Sequence, residues 1–372
     1  MTTIGIDLGT TNTVAALNAR VFDLDPKSGN LLPSVVAFPP SGTQLVGTVA
    51  RRRRPIDPEN TIYSAKRLIG KKWFSYDVKD FRQRYPHKLV EDEEGFAAFE
   101  TRGGRFNPTD VAAMLLQRVC LRSGQPPAKV TGIITVPSMF QEAERQATME
   151  AGRLVGMAEV KIIDEPIAAA LAYLAVAKDK PGLAVVYDLG GGTFDLAIVD
   201  CREQRPKIVA SGGDLYLGGD DIDLRLSQWV ADEMLKTHRW EYRNEPEVLA
   251  RLILECEQAK IRLSRDKQTS IDMTRVDLSS PFTSASIELD RKRLSLLCGD
   301  IVRRTFILCD EVLGKAGVKP QQVDGVFVVG GPTQLPMFQE GIQEYFGKPV
   351  RYVYDPMYVV AIGASAAGHI LG

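Results

Sequence analysis

Two short segments carry the residue types that handle polyphosphates. Residues 4–13 read IGIDLGTTNT and residues 185–196 read VVYDLGGGTFDL. Each sets an aspartate, Asp7 or Asp188, where an apolar strand meets a turn of glycine and threonine, and each then enters a second β-rich run. A carboxylate buried there without a partner would cost several kcal/mol. It needs a cation, a hydrogen-bonding cradle or a wet cleft. Gly9, Gly190, Gly191 and Gly192 remove side chains, so backbone N–H groups can approach an anion closely. Thr10, Thr11 and Thr193 add hydroxyl donors. Two such hairpins facing each other would grip a polyphosphate, with Asp7 and Asp188 holding a divalent cation, Mg²⁺ before others, through water. A single copy would fit an ordinary turn, which favours Gly and Asp anyway; the repetition argues for a site. Gly330 and Gly331, in GGPTQLP after the apolar run VFVV, supply a third wall where backbone can lie against a ligand.

The elements that must position these groups alternate in type. Strand-like runs fall at 3–6, 13–16, 35–38, 130–136, 160–163, 183–187, 193–199, 207–211, 269–273, 284–289 and 325–329. Helical patterns occupy 108–122 (opened by Asn107 and Pro108), 141–155, 166–178, 221–236, 246–263, 291–315, 335–346 and 357–371. Such alternation predicts an α/β fold. The repeated hairpin, roughly 180 residues apart, suggests two similar lobes rather than a solenoid.

Bulk properties narrow the function classes. The chain has 372 residues, 44% hydrophobic and 25% charged, which is ordinary globular composition. A formal net charge of −1 gives no field for nucleic acid or a membrane surface. The start, Met1-Thr2-Thr3, lacks a secretory leader pattern, and no apolar run reaches bilayer length, so a cytoplasmic location is expected. Five scattered cysteines without a CxxC pair, beside three histidines, argue against structural zinc and a disulfide framework. No GxxxxGK[ST] and no GxGxxG at a strand–helix junction occurs. The run Arg51–Arg54 reads as a solvated face or a partner patch, because aromatic interleaving is missing. The acidic loop Glu91–Glu94 reads as solvated.

Taken together, GIDLGTTNT, YSAKRLIG (Tyr63–Gly70), ITVPSMFQEAERQAT (Ile134–Thr148), IIDEPIAAALAY (Ile162–Tyr173), VYDLGGGTFDL, LGGDDID (Leu217–Asp223), EQAKIRLS (Glu257–Ser264) and VGGPTQLP resemble the nucleotide-binding domain of the seventy-kilodalton heat-shock chaperones, the DnaK-like family. They stand in family order over essentially the whole chain. The resemblance implies an actin-like ATPase fold, two duplicated ribonuclease-H-like lobes around a nucleotide cleft: lobe I about 1–181 and 355–372, lobe II about 182–354. It implies slow ATP hydrolysis to ADP and phosphate. Asp7 and Asp188 would orient Mg²⁺, with K⁺ a further candidate cation. Gly9, Thr10, Thr11, Asn12 and Gly190–Thr193 would cradle phosphates. Lys66 would stabilise charge at the terminal phosphate, and Glu165, Asp195 and Thr193 would join the water and metal network; positioning and electrostatics suffice for this chemistry. Glu257, Lys260 and Ser264 share a helix face beside Ile261, and with Gly218, Gly219, Asp220, Gly330, Gly331, Pro332 and Gln334 would close on the nucleoside. Pro137 and Arg145, with Glu165, match a relay to a client-binding domain. That domain is expected to be missing from this chain. A J-domain co-chaperone and a nucleotide exchange factor are the implied partners, client polypeptides come only through the missing domain, and Asn12 and Ile261 suggest a bacterial origin.

The sequence also departs from the family pattern. Pro332 replaces the usual Ser and has no N–H to donate. Gln334 replaces an Arg that would stack on the base, forgoing about 0.5–2 kcal/mol. Asp220 replaces Glu, and Met357-Tyr358 replaces Asp-Glu. These changes touch the adenosine side and leave the phosphate side intact. The competing readings are a nucleotide sensor that binds ATP without turnover, a small-molecule kinase of the actin superfamily, and an actin-like filament protein.

Overall fold

The computed structural model describes residues 1–177, 181–203, 205–241, 245–277, 285–350 and 352–371, with side chains through residue 368. Its two largest sheets are variations on one theme. The first contains β1 (Thr2–Leu8), β2 (Asn12–Leu17), β3 (Arg20–Val21), β4 (Leu32–Pro33), β5 (Val130–Val136) and β6 (Glu159–Asp164), in the order β6-β5-β1-β2-β3 with β4 also on β2. The second contains β7 (Leu183–Leu189), β8 (Phe194–Asp200), β9 (Lys207–Asp214) and β10 (Gly325–Val329), in the order β9-β8-β7-β10. In each, an antiparallel hairpin (β1–β2, β7–β8) is followed outward by an antiparallel strand, while a parallel strand (β5, β10) flanks the hairpin's first member. The internal echo in the sequence is thus a shared topology.

Two largely apolar helices, α3 (Glu165–Val176) and α8 (Val359–Leu371), lie between these sheets. Ala168, Ala169, Ala172, Val360 and Ala364 bury themselves against Val14 and Ile133 of one sheet and Val186, Ala197 and Phe327 of the other. Small residues let the helices approach closely: a side chain at Gly363 would run into the carbonyl of Ala168. Tyr173 stacks on Phe327 with ring centroids 4.3 Å apart and donates its hydroxyl to Val328 O at 3.1 Å. Burial on all sides explains why these helices lack a polar face.

The remaining helices cover the outer faces. α1 (Pro108–Ser123), opened by the Asn107 capping box, and α2 (Glu142–Leu154) cover the first sheet. α4 (Gly219–His238), α5 (Pro246–Arg265), α6 (Arg291–Ala316) and α7 (Pro336–Phe346) build the largest apolar cluster on the second. The predicted strands and helices are present with shifts of a few residues; the expected ends at Lys178 and Ser284 lie outside the described residues. The helix Tyr76–Arg84, capped by Ser75, and the three-stranded meander through Leu89–Glu91, Ala97–Thr101 and Gly104–Phe106 were not anticipated. No helix among the described residues is long and apolar enough to cross a membrane.

Candidate functional site

The β1–β2 and β7–β8 turns face one cavity of about 90 Å³, lined by Asp7, Thr10, Lys66, Glu165, Asp188 and Gly191 among others. Each turn is held from behind through its carbonyls. In the first, Ser34 donates its Oγ to Gly9 O at 2.7 Å and its N–H to Thr11 O at 2.9 Å. In the second, the start of α4 donates Gly219 N–H to Gly190 O at 3.0 Å and Asp220 N–H to Gly191 O at 2.6 Å. Gly218 packs so closely on the carbonyls of Gly190 and Gly191 that a side chain there would collide. With the carbonyls occupied, the N–H groups of Thr10, Thr11 and Gly191 have no protein acceptor among the described residues. Donors of this kind in a turn form an anion-binding concavity.

Acid and base converge beneath the turns. Lys66, on a short 3-10 turn (Ala65–Leu68), places Nζ 2.7 Å from Glu165 Oε1 at the start of α3. Burial pulls the Lys66 ammonium down, yet Glu165 and Asp7 hold it above its ordinary range. Asp7 accepts from Thr135 Oγ1 at 3.4 Å, and Asp188 stands opposite Asp195 in the β7–β8 register. Burial, then Glu165, pushes Asp7 up to about 7 and Asp195 likewise to about 7. Burial, Glu165 and the two other aspartates raise Asp188 well above the carboxylate range. Asp195 is 7% exposed, and its Oδ1 has no partner among the described residues. Four carboxylates around one ammonium are short of positive charge.

Those residues suit a hard divalent cation. Among the described residues no three His, Cys, Asp or Glu side chains converge into a protein cage. Two aspartates beside an anion cradle match an ion such as Mg²⁺, which keeps several waters and takes further oxygens from phosphate.

A second cavity of about 240 Å³ opens beside the first, sharing Thr11, Asn12, Gly191, Gly331 and Met357 with it. Its walls are mostly apolar, with Leu31, Ile261, Pro332, Leu335 and Met357. The polar residues expected there are present, but several heads are engaged. Lys260 donates to Asp223 Oδ2 at 2.7 Å and to Gly219 O at 2.9 Å. Ser264 donates to Ile261 O at 2.7 Å, and Glu257 pairs with Arg51. Gln334 and Asp220 also line the cavity.

Several expected placements differ: Asp195, Gly218 and Gly219 line neither of these two cavities. The run Arg51–Arg54 is not one solvated face: Arg51 reaches Glu257 on α5, and Arg54 lies 3.8 Å from the centre of the Tyr63 ring. Only Arg52 of the four is exposed. Gly192 turns toward Arg67 and Asp220 rather than lining the first cavity. Of the two residues expected to form a relay, Pro137 lines the first cavity, and Arg145 is bonded to Asp164 and to Phe140 O outside both cavities. Arg67 and Ser34 were missed. Arg67 is 5% exposed and donates Nη2 to Gly192 O at 2.7 Å. A 3-10 turn advances about 120° per residue, so Lys66 and Arg67 point different ways.

The duplicated hairpin sheets around a shared cleft define a protein of two like halves. A family model described as Hsp70 protein matches residues 3–372, so the chain belongs to the Hsp70 family. Its fold is the actin-like ATPase fold, and it is a chaperone of the Hsp70 type. Members of this family are ATPases that typically bind ATP or ADP with Mg²⁺ and work with co-chaperones and exchange factors.

Proposed function

We propose that this chain binds ATP across the two cavities and hydrolyses it slowly to ADP and phosphate, its nucleotide state governing client binding by a domain outside these 372 residues. The observation that carries this reading is the pair of opposed turns, whose unaccepted N–H groups face a cavity bearing two aspartates and a lysine. Lobe I would run from about 1 to 181 and resume at 355–372, with lobe II between, so that each lobe contributes one turn.

In this reading Gly9–Asn12, Gly190, Gly191 and Thr193 bind the phosphates through backbone N–H and threonine hydroxyls. Asp7 and Asp188 would hold Mg²⁺, which when bound would offset charge on the phosphate oxygens. Lys66 stays protonated because Glu165 and Asp7 favour its charged form, and it offsets charge developing on the terminal phosphate. Glu165 fixes the direction of that ammonium. Asp195, with Oδ1 free, accepts a hydrogen bond from the attacking water and orients it. Gly218, Gly219, Asp220, Glu257, Lys260, Ile261, Ser264, Gly330, Gly331, Pro332 and Gln334 enclose the nucleoside. Pro137 beside the phosphates and Arg145, through Asp164 at the head of α3, carry the state of the site outward. A J-domain co-chaperone and a nucleotide exchange factor would act on this domain in the cytoplasm.

Comparing ATP, ADP and AMP binding in Mg²⁺ tests the assignment. Cradle donors predict that ATP and ADP bind at least about 100-fold tighter than AMP, some 2.7 kcal/mol. Equal affinities would remove the phosphates from the turns.

A further inference from the structure

A third cavity, about 460 Å³, adjoins the phosphate cavity at the Thr10–Thr11 tip, and those two threonines line both. Nothing assigned so far uses its most unusual residue. Arg67 lines it, is 95% buried, and spends one nitrogen on Gly192 O. Its Nε and Nη1 are buried with no partner among the described residues. The guanidinium lies 4.6 Å from the centre of the Tyr216 ring, and Arg84 sits 4.5 Å from the same ring. Arg54, on Tyr63, lines the cavity as well. A guanidinium withdrawn from water with two unmet donors is costly unless an anion completes it. Arginines stacked on aromatic rings present their planar forks to tetrahedral oxyanions in good geometry.

We infer that this cavity is an oxyanion site for inorganic phosphate, with Arg67 as its anchor and Arg54 and Arg84 as its outer donors. Asp220 and Asp221 share the wall, which selects among oxyanions. Hydrogen phosphate can donate its hydroxyl hydrogen to a carboxylate, whereas sulfate has none to give and meets only repulsion. The position fits a product site. Arg67 holds the carbonyl of Gly192, in the turn where the terminal phosphate would be cut, and Thr10 and Thr11 line both cavities. The source of the phosphate rests on the hydrolysis reading; the site rests on Arg67 and its surroundings.

The experiment loads the full chain with Mg²⁺ and a non-hydrolysable ATP analogue, so that the cradle's own terminal position is filled. Inorganic phosphate is then titrated by calorimetry, with sulfate in a parallel arm. The expected result is one phosphate bound per loaded chain, sulfate at least about tenfold weaker, binding lost in Arg67→Gln, and binding weakened several-fold in Arg84→Gln, the Arg84 variant keeping its analogue affinity. Arg84 is half exposed, so its variant keeps the test alive should Arg67→Gln misfold. No phosphate uptake by the loaded chain, or uptake indifferent to Arg84→Gln, overturns the site; sulfate binding as tightly as phosphate overturns the assignment to phosphate. Failure of the nucleotide-binding reading shows separately as failure to bind the analogue, and phosphate titration of the nucleotide-free chain then decides the site in the same way; failure of hydrolysis alone shows as ATP bound without phosphate release and leaves the titration result standing.

Discussion

The β1–β2 and β7–β8 turns present similar donors to the same cavity but are built by different means. The first is fastened by hydroxyls: Ser34 holds Gly9 O and lies 3.0 Å from Thr13 Oγ1. The second is made of glycines and is wedged between the start of α4 and the Arg67 guanidinium. A turn held by side chains can lose one bond and keep its shape. A turn packed this closely has little slack, and a side chain added at Gly191, Gly192 or Gly218 must displace something.

The sharpest way to break this comparison is Gly191→Val. A Cβ there runs into the Thr11 hydroxyl of the opposite turn. ATP affinity should fall by about 100-fold or more, read by equilibrium titration, while circular dichroism stays that of the folded chain. Next in size is Arg51→Ala. The Arg51–Glu257 pair ties Arg51 to α5 beside the second cavity, so its loss should speed nucleotide release by about tenfold, measured by stopped-flow chase; an unchanged rate would mean the pair does not restrain the cleft. Ser34→Ala removes one bond from the first turn and should weaken ATP by roughly fivefold, near 1 kcal/mol. A loss matching that of Gly191→Val would show both turns to be equally unforgiving.

The smallest effect is on stability. Burial, then Glu165, raises the Asp195 carboxyl to about 7, above its unfolded value near 4. The folded state therefore holds a proton that the unfolded state has released, and this group's stability contribution falls as pH rises from about 4 to 7. Asp195→Asn lacks that penalty. In nucleotide-free chain, its melting temperature relative to wild type should climb across that window and plateau above it, gaining about 2 °C or more. A flat difference would contradict the raised carboxyl.

What was legible in the sequence follows the same division. Both hairpins could be read because Asp-Leu-Gly after an apolar strand constrains its surroundings locally, and the repeat made chance unattractive. The buried helix pair could be read in part, since the run at 166–176 has no polar face. The partners of Arg51, Arg67 and Lys260 could not. Arg51 meets Glu257 and Lys260 meets Asp223 only once the chain has folded, and a charge carries no mark of a partner far along the sequence. Arg67 was hidden beside Lys66 because a dibasic pair says nothing about the 3-10 turn that separates them. The meander at 89–106 was obscured by the acidic stretch at its first turn, where Asp92 in fact accepts from the N–H groups of Glu94 and Phe96.

Single-turnover hydrolysis tests the central claim most directly, with inorganic phosphate followed after ATP and Mg²⁺ are mixed with excess chain. The account predicts slow release in the wild type, reduced by about 100-fold or more in Lys66→Ala and in Asp188→Asn. Tight ATP binding with no phosphate release would contradict it and leave a nucleotide sensor; release untouched by both substitutions would place the chemistry elsewhere.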